Sequence, residues 1–186
     1  MCGRFAFFDN TNFKIKDNFI PNYNISPGSK VYALIENSKV IKINWSLSTS
    51  WSSKIKIFNA RSETLDNKFS FKNKKRCVFF ANGYFEWKKE KYKKIPYYHT
   101  FENKIMFLGG IFDSSGACIV TRPSYPKLAE VHHRQPVILN YNTLSDWFKK
   151  SHDYNCSFSE DIIIFPVSIK VNSSLNNCKD NVSKVE

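Results

Sequence analysis

Short runs of apolar residues recur along the chain, separated by polar stretches that read as turns. The runs are "VYALIE" (31–36), "KVIKINWSL" (39–47), "RCVFF" (76–80), "YFEW" (84–87), "PYYHTF" (96–101), "KIMFLGGIF" (104–112), "ACIVT" (117–121), "PVIL" (136–139) and "DIIIFPVS" (161–168). Their lengths and their β-branched and aromatic content predict strands, and intervening turns such as "ENS" (36–38) and "SSG" (114–116) suit antiparallel hairpins. Helical candidates are fewer. "TLSDWFKK" (143–150) begins with Thr143 and places Asp146 three positions later, which predicts a capping box. "SYPKLAEVHH" (124–133) holds a second short helix. The pattern predicts an α+β fold: one domain with a largely antiparallel, curved and barrel-like β-sheet and a few short helices. The domain spans 1–172. The polar tail 173–186 is expected to fray at least in part.

Composition narrows the class. At 186 residues, with 42% apolar and 16% aromatic residues, the chain can bury a core and is not disordered. No apolar run reaches membrane-spanning length, and the N-terminus lacks a signal-peptide stretch. Five cysteines with no CxxC pair argue against a disulfide framework or a cysteine-rich zinc site. The expectation is a reduced, intracellular protein of the cytoplasm, nucleoid or nucleus, monomeric and not secreted. No metal-ligand cluster appears, so neither a metal nor an organic cofactor is expected.

The net charge of +12 favours a polyanionic partner, nucleic acid before membrane surface. Because 23 of the 28 basic residues are Lys, a compositional bias explains part of that charge. The same bias singles out the arginines: Arg4, Arg61, Arg76, Arg122 and Arg134. Where Lys is the default cation, Arg marks positions that need a planar, bidentate guanidinium.

Four stretches combine polar chemistry with apolar surroundings. "MCGRF" places Cys2 where removal of Met1 exposes an α-amine and a thiol on adjacent carbons. "FNARSET" sets Asn59 and Arg61 two apart, on one face of an extended chain. "ANGYFEWKK" embeds Glu86 between Phe85 and Trp87, where desolvation raises a carboxyl pKa toward general-acid use. "VHHRQPVIL" places His132 and Arg134 before an apolar strand. Each residue also has a plain structural alternative. Cys2 could be a buried apolar side chain, Asn59 a cap, Glu86 part of a wet strand face and His132 a hydrogen-bonded core residue.

In combination the motifs decide more. "CGRF" after Met1, "YNISPG" (23–28), "NWSLSTSW" (44–51), "NARSET" (59–64), "RCVFFANGYFEWKK" (76–89), "HHRQPVIL" (132–139) and "PVSIKVN" (166–172) occur in one order. Together they resemble the SOS-response-associated peptidase (SRAP) domain family over roughly residues 2–172. The resemblance implies a sensor of abasic sites in single-stranded DNA. Cys2 is then the nucleophile that forms a thiazolidine crosslink after autocatalytic loss of Met1. Asn59 orients the terminus, and Glu86 and His132 are the acid–base pair. Arg4, Arg61, Thr121 and Arg134 contact phosphates, and Trp51 belongs to the aromatic surface near the lesion. Possible lyase-type Schiff-base chemistry follows from the same amine. The rival readings are a cysteine peptidase acting in trans and a non-catalytic single-strand-binding module. Ser46, Ser48, Thr49, Asn82 and Gln135 depart from the family pattern, so the lesion pocket is less well defined than the catalytic set.

Overall fold

The computed structural model describes residues 2–11, 15, 18–49, 52–102, 104–154 and 161–185. The N-terminal strands are β1 (Arg4–Phe7), β2 (Asn22–Ile25), β3 (Lys30–Ile35), β4 (Lys39–Asn44), β5 (Leu47–Thr49), β6 (Ser52–Ile57) and β7 (Asn59–Arg61). They are followed by β8 (Lys75–Ala81), β9 (Gly83–Glu90), β10 (Lys93–Thr100), β11 (Met106–Asp113), β12 (Gly116–Pro123), β13 (Arg134–Pro136), β14 (Ile138–Leu139) and β15 (Ile163–Pro166). Two short helices are α1 (Pro126–Ala129) and α2 (Leu144–Phe148).

The strands form two main sheets. One has the order β15-β10-β9-β1-β2. The other runs β13-β12-β11-β8-β3-β4, with β14 added to β11 and β7 added to β12. Among the described residues each sheet ends on two open edges, so the barrel-like closure in the expected fold is replaced by an open arrangement. All pairings between named strands are antiparallel except β7 with β12, where Asn59 lies opposite Ile119 and Arg61 opposite Thr121.

The core joins the sheets through aromatic rings. Phe5 of β1 meets Trp45 at 5.1 Å and Phe79 of β8 at 6.3 Å between centroids. All three are buried, and burial of each such side chain contributes about 1.5–3 kcal/mol. The indole N–H of Trp45 donates to Phe58 O at 2.9 Å, so the buried ring leaves no orphan donor.

Every predicted apolar run contains strand residues, but β1, β2, β6 and β7 were not predicted. β7 is three residues long and exists through its parallel partner, a tertiary cause that no local pattern carries. The cap expected at Thr143 is also displaced. Asn140 and Thr143 form the reciprocal box, opening a 3-10 turn that runs into α2, and Thr143 makes no side-chain cap for α2 itself. Residues 173–185, expected to fray, are joined to β2 by hydrogen bonds. Buried Asn24 donates to the carbonyls of Ser173 at 2.9 Å and Asn176 at 2.8 Å.

Gly83 is the first residue of β9. A Cβ there would lie 2.4 Å from His99 O and 2.5 Å from the Tyr98 ring, so the close approach of β9 and β10 requires glycine. Gly83→Ala is expected to destabilise the fold by about 1–3 kcal/mol or more, read by denaturant unfolding. Next to it, Asn82 Oδ1 accepts from the backbone N–H of Phe8 at 2.7 Å and Asp9 at 3.1 Å. An amide oxygen suffices for this bridge.

Candidate active site

β1 runs antiparallel to β9 with Arg4 opposite Phe85 and Ala6 opposite Gly83. This register carries the residues before β1 toward Glu86. Cys2 is fully buried, with Sγ 4.0 Å from Arg4 O. Burial pushes its thiol well above the ordinary range, and the negative charge of Glu86 acts in the same direction. The thiol is therefore protonated until a nearby base takes its proton.

Glu86 is 3% exposed, and burial raises its pKa to about 7. Strand alternation sets Tyr84 and Glu86 on one face of β9, and Tyr84 lies within electrostatic reach of both Cys2 and Glu86. Opposite stands His132, at the exit of α1, with Nδ1 3.9 Å from Glu86 Oε1. The same Nδ1 lies 3.0 Å from the Arg134 backbone nitrogen and 3.1 Å from the Arg134 carbonyl. The neutral ring accepts from the N–H, and the protonated ring donates to the carbonyl. His132 can thus gain or lose a proton without losing its anchor. Burial lowers its pKa below the usual value, so it is mainly neutral at pH 7. Gly3, Arg4, Glu86, Trp87, His132 and His133 share one open cleft of about 790 Å³.

Asn59, Arg61, Thr121 and Arg134 form an adjoining group. Asn59 Oδ1 is buried with no hydrogen-bond partner among the described residues, an acceptor held open beside the β7–β12 pairing. Arg61, two residues on, is exposed. Thr121 is fully buried, and its hydroxyl lies 3.4 Å from Ala60 O. Arg134 is 7% exposed and gripped on several sides. Its Nη1 donates to Glu63 Oε1, while Nη2 donates to Glu63 Oε2 at 2.9 Å and to Thr121 O at 2.7 Å. The guanidinium holds the Glu63 carboxyl down at about 2. Arg134 also supplies the backbone groups that orient His132, which links this group to the cleft.

Arg134 grips a carboxylate with both terminal nitrogens, whereas Arg4, Arg76 and Arg122 bond to the protein through one terminal nitrogen each. Arg4 donates to Asn24 Oδ1 at 2.7 Å and Val171 O at 2.9 Å, with its guanidinium 6.0 Å from the Trp87 ring centroid. Arg76 bonds Asp66 and Tyr154 and lies over Trp147, and Arg122 bonds Tyr125 and the Tyr154 carbonyl. Trp51 and Met1 lie outside the described residues. Glu63 and Asn24 stand inside the motifs NARSET and YNISPG, whose local pattern carries no sign of their distant partners. Among the replaced motif residues, Gln135 is buried, and its Oε1 accepts from the N–H of Tyr125 at the start of α1.

The chain has named relatives and structural neighbours. Abasic site processing protein YoaM of Bacillus subtilis is 29% identical, covering 95% of this chain and 95% of its own. Abasic site processing protein YedK of Escherichia coli is 30% identical over 70% of this chain and 66% of its own. A crystal structure of a protein from Bacteroides thetaiotaomicron superposes with a TM-score of 0.75 at 21% identity, covering 96% of this chain and 92% of that one. Residues 1–174 match the model of the SOS response associated peptidase (SRAP) family. The chain belongs to the SRAP family.

Proposed function

We propose that this protein processes abasic sites in single-stranded DNA by forming a covalent thiazolidine at Cys2. The observation that carries the reading is a carboxyl poised at about 7 facing a mainly neutral imidazole at one cleft, with the buried Cys2 thiol within electrostatic reach of that carboxyl. The named relatives are abasic site processing proteins, which supports the same substrate.

Removal of Met1 comes first, because an amide nitrogen forms no imine. The Cys2 thiol performs that removal by attacking the Met1 carbonyl, so that the acyl group passes from nitrogen to sulfur, and water then hydrolyses the thioester to release Met1 and leave the free amine and thiol. Protonated Glu86 then donates to the ring oxygen of the abasic sugar, opening it to the C1′ aldehyde. The Cys2 amine condenses with the aldehyde and releases one water. Sulfur adds to the imine carbon, the imine nitrogen takes up the proton that the C1′ hydroxyl gave to His132 on ring opening, and the thiol proton passes to the Glu86 carboxylate, which recovers the state in which it began. The new ring contains N, Cα, Cβ, S and C1′, and its closure is intramolecular. His132 moves protons at the carbinolamine. Asn59, with an open buried acceptor, holds the amine.

Intact mass tests the removal of Met1 and the condensation. Protein lacking Met1, incubated with an abasic single-stranded oligonucleotide, should gain the oligonucleotide mass less one water. Efficient adduct formation by protein that fully retains Met1 would overturn it.

Binding rests on backbone electrostatics rather than base readout. Exposed Arg61 is the phosphate contact with the simplest signature. Arg61→Ala should weaken binding to any sequence and reduce the slope of log affinity against log salt by about 0.7. Arg61→Lys should recover only part of the affinity. An unchanged affinity and slope in folded Arg61→Ala would remove Arg61 from the interface.

A further inference from the structure

The β9–β10 hairpin that carries Glu86 extends beyond its sheet. β1 covers β9 only from Gly83 to Phe85, and β15 covers β10 only from Tyr97 to Thr100. Between them the two strands pair with each other: Lys88 opposite Ile95, Lys89 opposite Lys94 and Glu90 opposite Lys93, around a turn at Lys91 and Tyr92. A two-stranded arm of this kind is marginal by itself.

Its sequence makes it less stable still. Residues 88–94 hold five lysines and one glutamate, and Lys89 and Lys94 stand directly opposite, where like charges destabilise a ladder. Glu90 offsets one of these charges, with Lys93 Nζ at 3.9 Å. The tip residue Tyr92 is 99% exposed. Lysines on an uncovered strand also block edge-to-edge pairing, which accounts for charge on such an arm. That purpose accounts neither for an aromatic ring set in water at the tip nor for where the lysines lead. Lys88, Lys89 and Lys94 line the same cleft as Glu86 and His132. A basic path therefore runs from the reacting groups out along the arm and ends on an aromatic ring.

We propose that the arm is a second, lesion-independent contact for single-stranded DNA. Phosphates flanking the lesion follow Lys88, Lys89 and Lys94 out to Lys91 and Lys93 at the tip, where a base stacks on Tyr92. Stacking on an exposed ring and cations along a backbone are the two elements of sequence-tolerant single-strand binding. The arm spans about 20 Å from Glu86 to Tyr92, enough for several nucleotides. This inference takes its ligand from the abasic-strand reading above and adds where the intact part of that strand lies.

Anisotropy titrations of the full chain with an undamaged single-stranded oligonucleotide decide it. Lys89, Lys91, Lys93 and Lys94 are replaced together by Gln or together by Arg, and Tyr92 singly by Ala. The Gln variant should lose at least about tenfold in affinity at low salt, with the salt slope smaller by about 2. The Arg variant should restore the slope. Tyr92→Ala should lose about tenfold at every salt concentration, because stacking is not screened. These side chains are exposed, so the melting transition reports whether each variant remains folded. On an oligonucleotide only three nucleotides long the differences should vanish. A wild-type slope in the Gln variant, equal losses on short and long strands, or a loss confined to duplex DNA would each overturn the proposal. Adduct formation with an abasic strand is scored separately. Its absence in the wild type sinks the Cys2 mechanism, whereas the arm stands or falls on the undamaged strand.

Discussion

Cys2→Ser protein that has lost Met1 should give an adduct with abasic DNA that is seen mainly after borohydride reduction. Serine keeps the amine and therefore the imine, but its oxygen closes a much less stable ring. The wild-type adduct should survive denaturation without reductant, whereas the untrapped Cys2→Ser adduct falls to background. The buried position of Cys2 strengthens the contrast. A buried thiol stays protonated and waits for a base, so sulfur contributes at ring closure rather than at first attack. Equally durable untrapped adducts from both proteins would show that sulfur is not in the linkage.

The second large effect belongs to Glu86. Glu86→Gln should slow adduct formation by about 10²–10⁴-fold, the usual contribution of a positioned acid. It should also change the shape of the pH profile. The useful form of Glu86 is protonated and its pKa is about 7, so the wild-type rate should fall as pH rises beyond 7. That falling limb should disappear in Glu86→Gln. A wild-type profile with its limb intact in the variant would assign the acid elsewhere.

Stability should move the opposite way. The folded pKa of Glu86 is raised above the unfolded value. Its contribution to stability is therefore fully present below pH 4 and is lost as pH rises through 7. The difference amounts to roughly 3 kcal/mol. Glu86→Gln should accordingly melt higher than wild type at pH 8, with the gap closing toward pH 4. A variant that is slower yet more stable would identify Glu86 as a group held in place for chemistry.

How much of this was legible follows from the range of each signal. Cys2, Glu86 and His132 stand in short motifs whose chemistry is local, and the register of β1 on β9 carries the first toward the second. The apolar runs gave the longer strands because alternation and β-branching act over a few residues. β7 was not legible, since it exists only against β12. The grip of Glu63 on Arg134 was hidden for a related reason. The two residues lie 71 positions apart, and neither has a neighbour in sequence that points to the other. The cap at Asn140 escaped because a 3-10 turn precedes α2, a shift of one turn that side-chain pattern does not encode.

That grip has a consequence for how long a strand stays. In the absence of DNA, Arg134 already has a carboxylate partner, and Glu63 is 45% exposed at its side chain. On the proposed reading, a phosphate reaching Arg134 must displace Glu63, leaving a released negative charge beside a negatively charged strand. Capture at this point is an exchange of partners with little net gain, and the displaced carboxylate is always at hand to reverse it. Strands without a lesion should therefore dissociate quickly. Only a strand that presents an aldehyde to Cys2 remains long enough to be joined, so the discrimination against intact DNA lies in residence time rather than in fit.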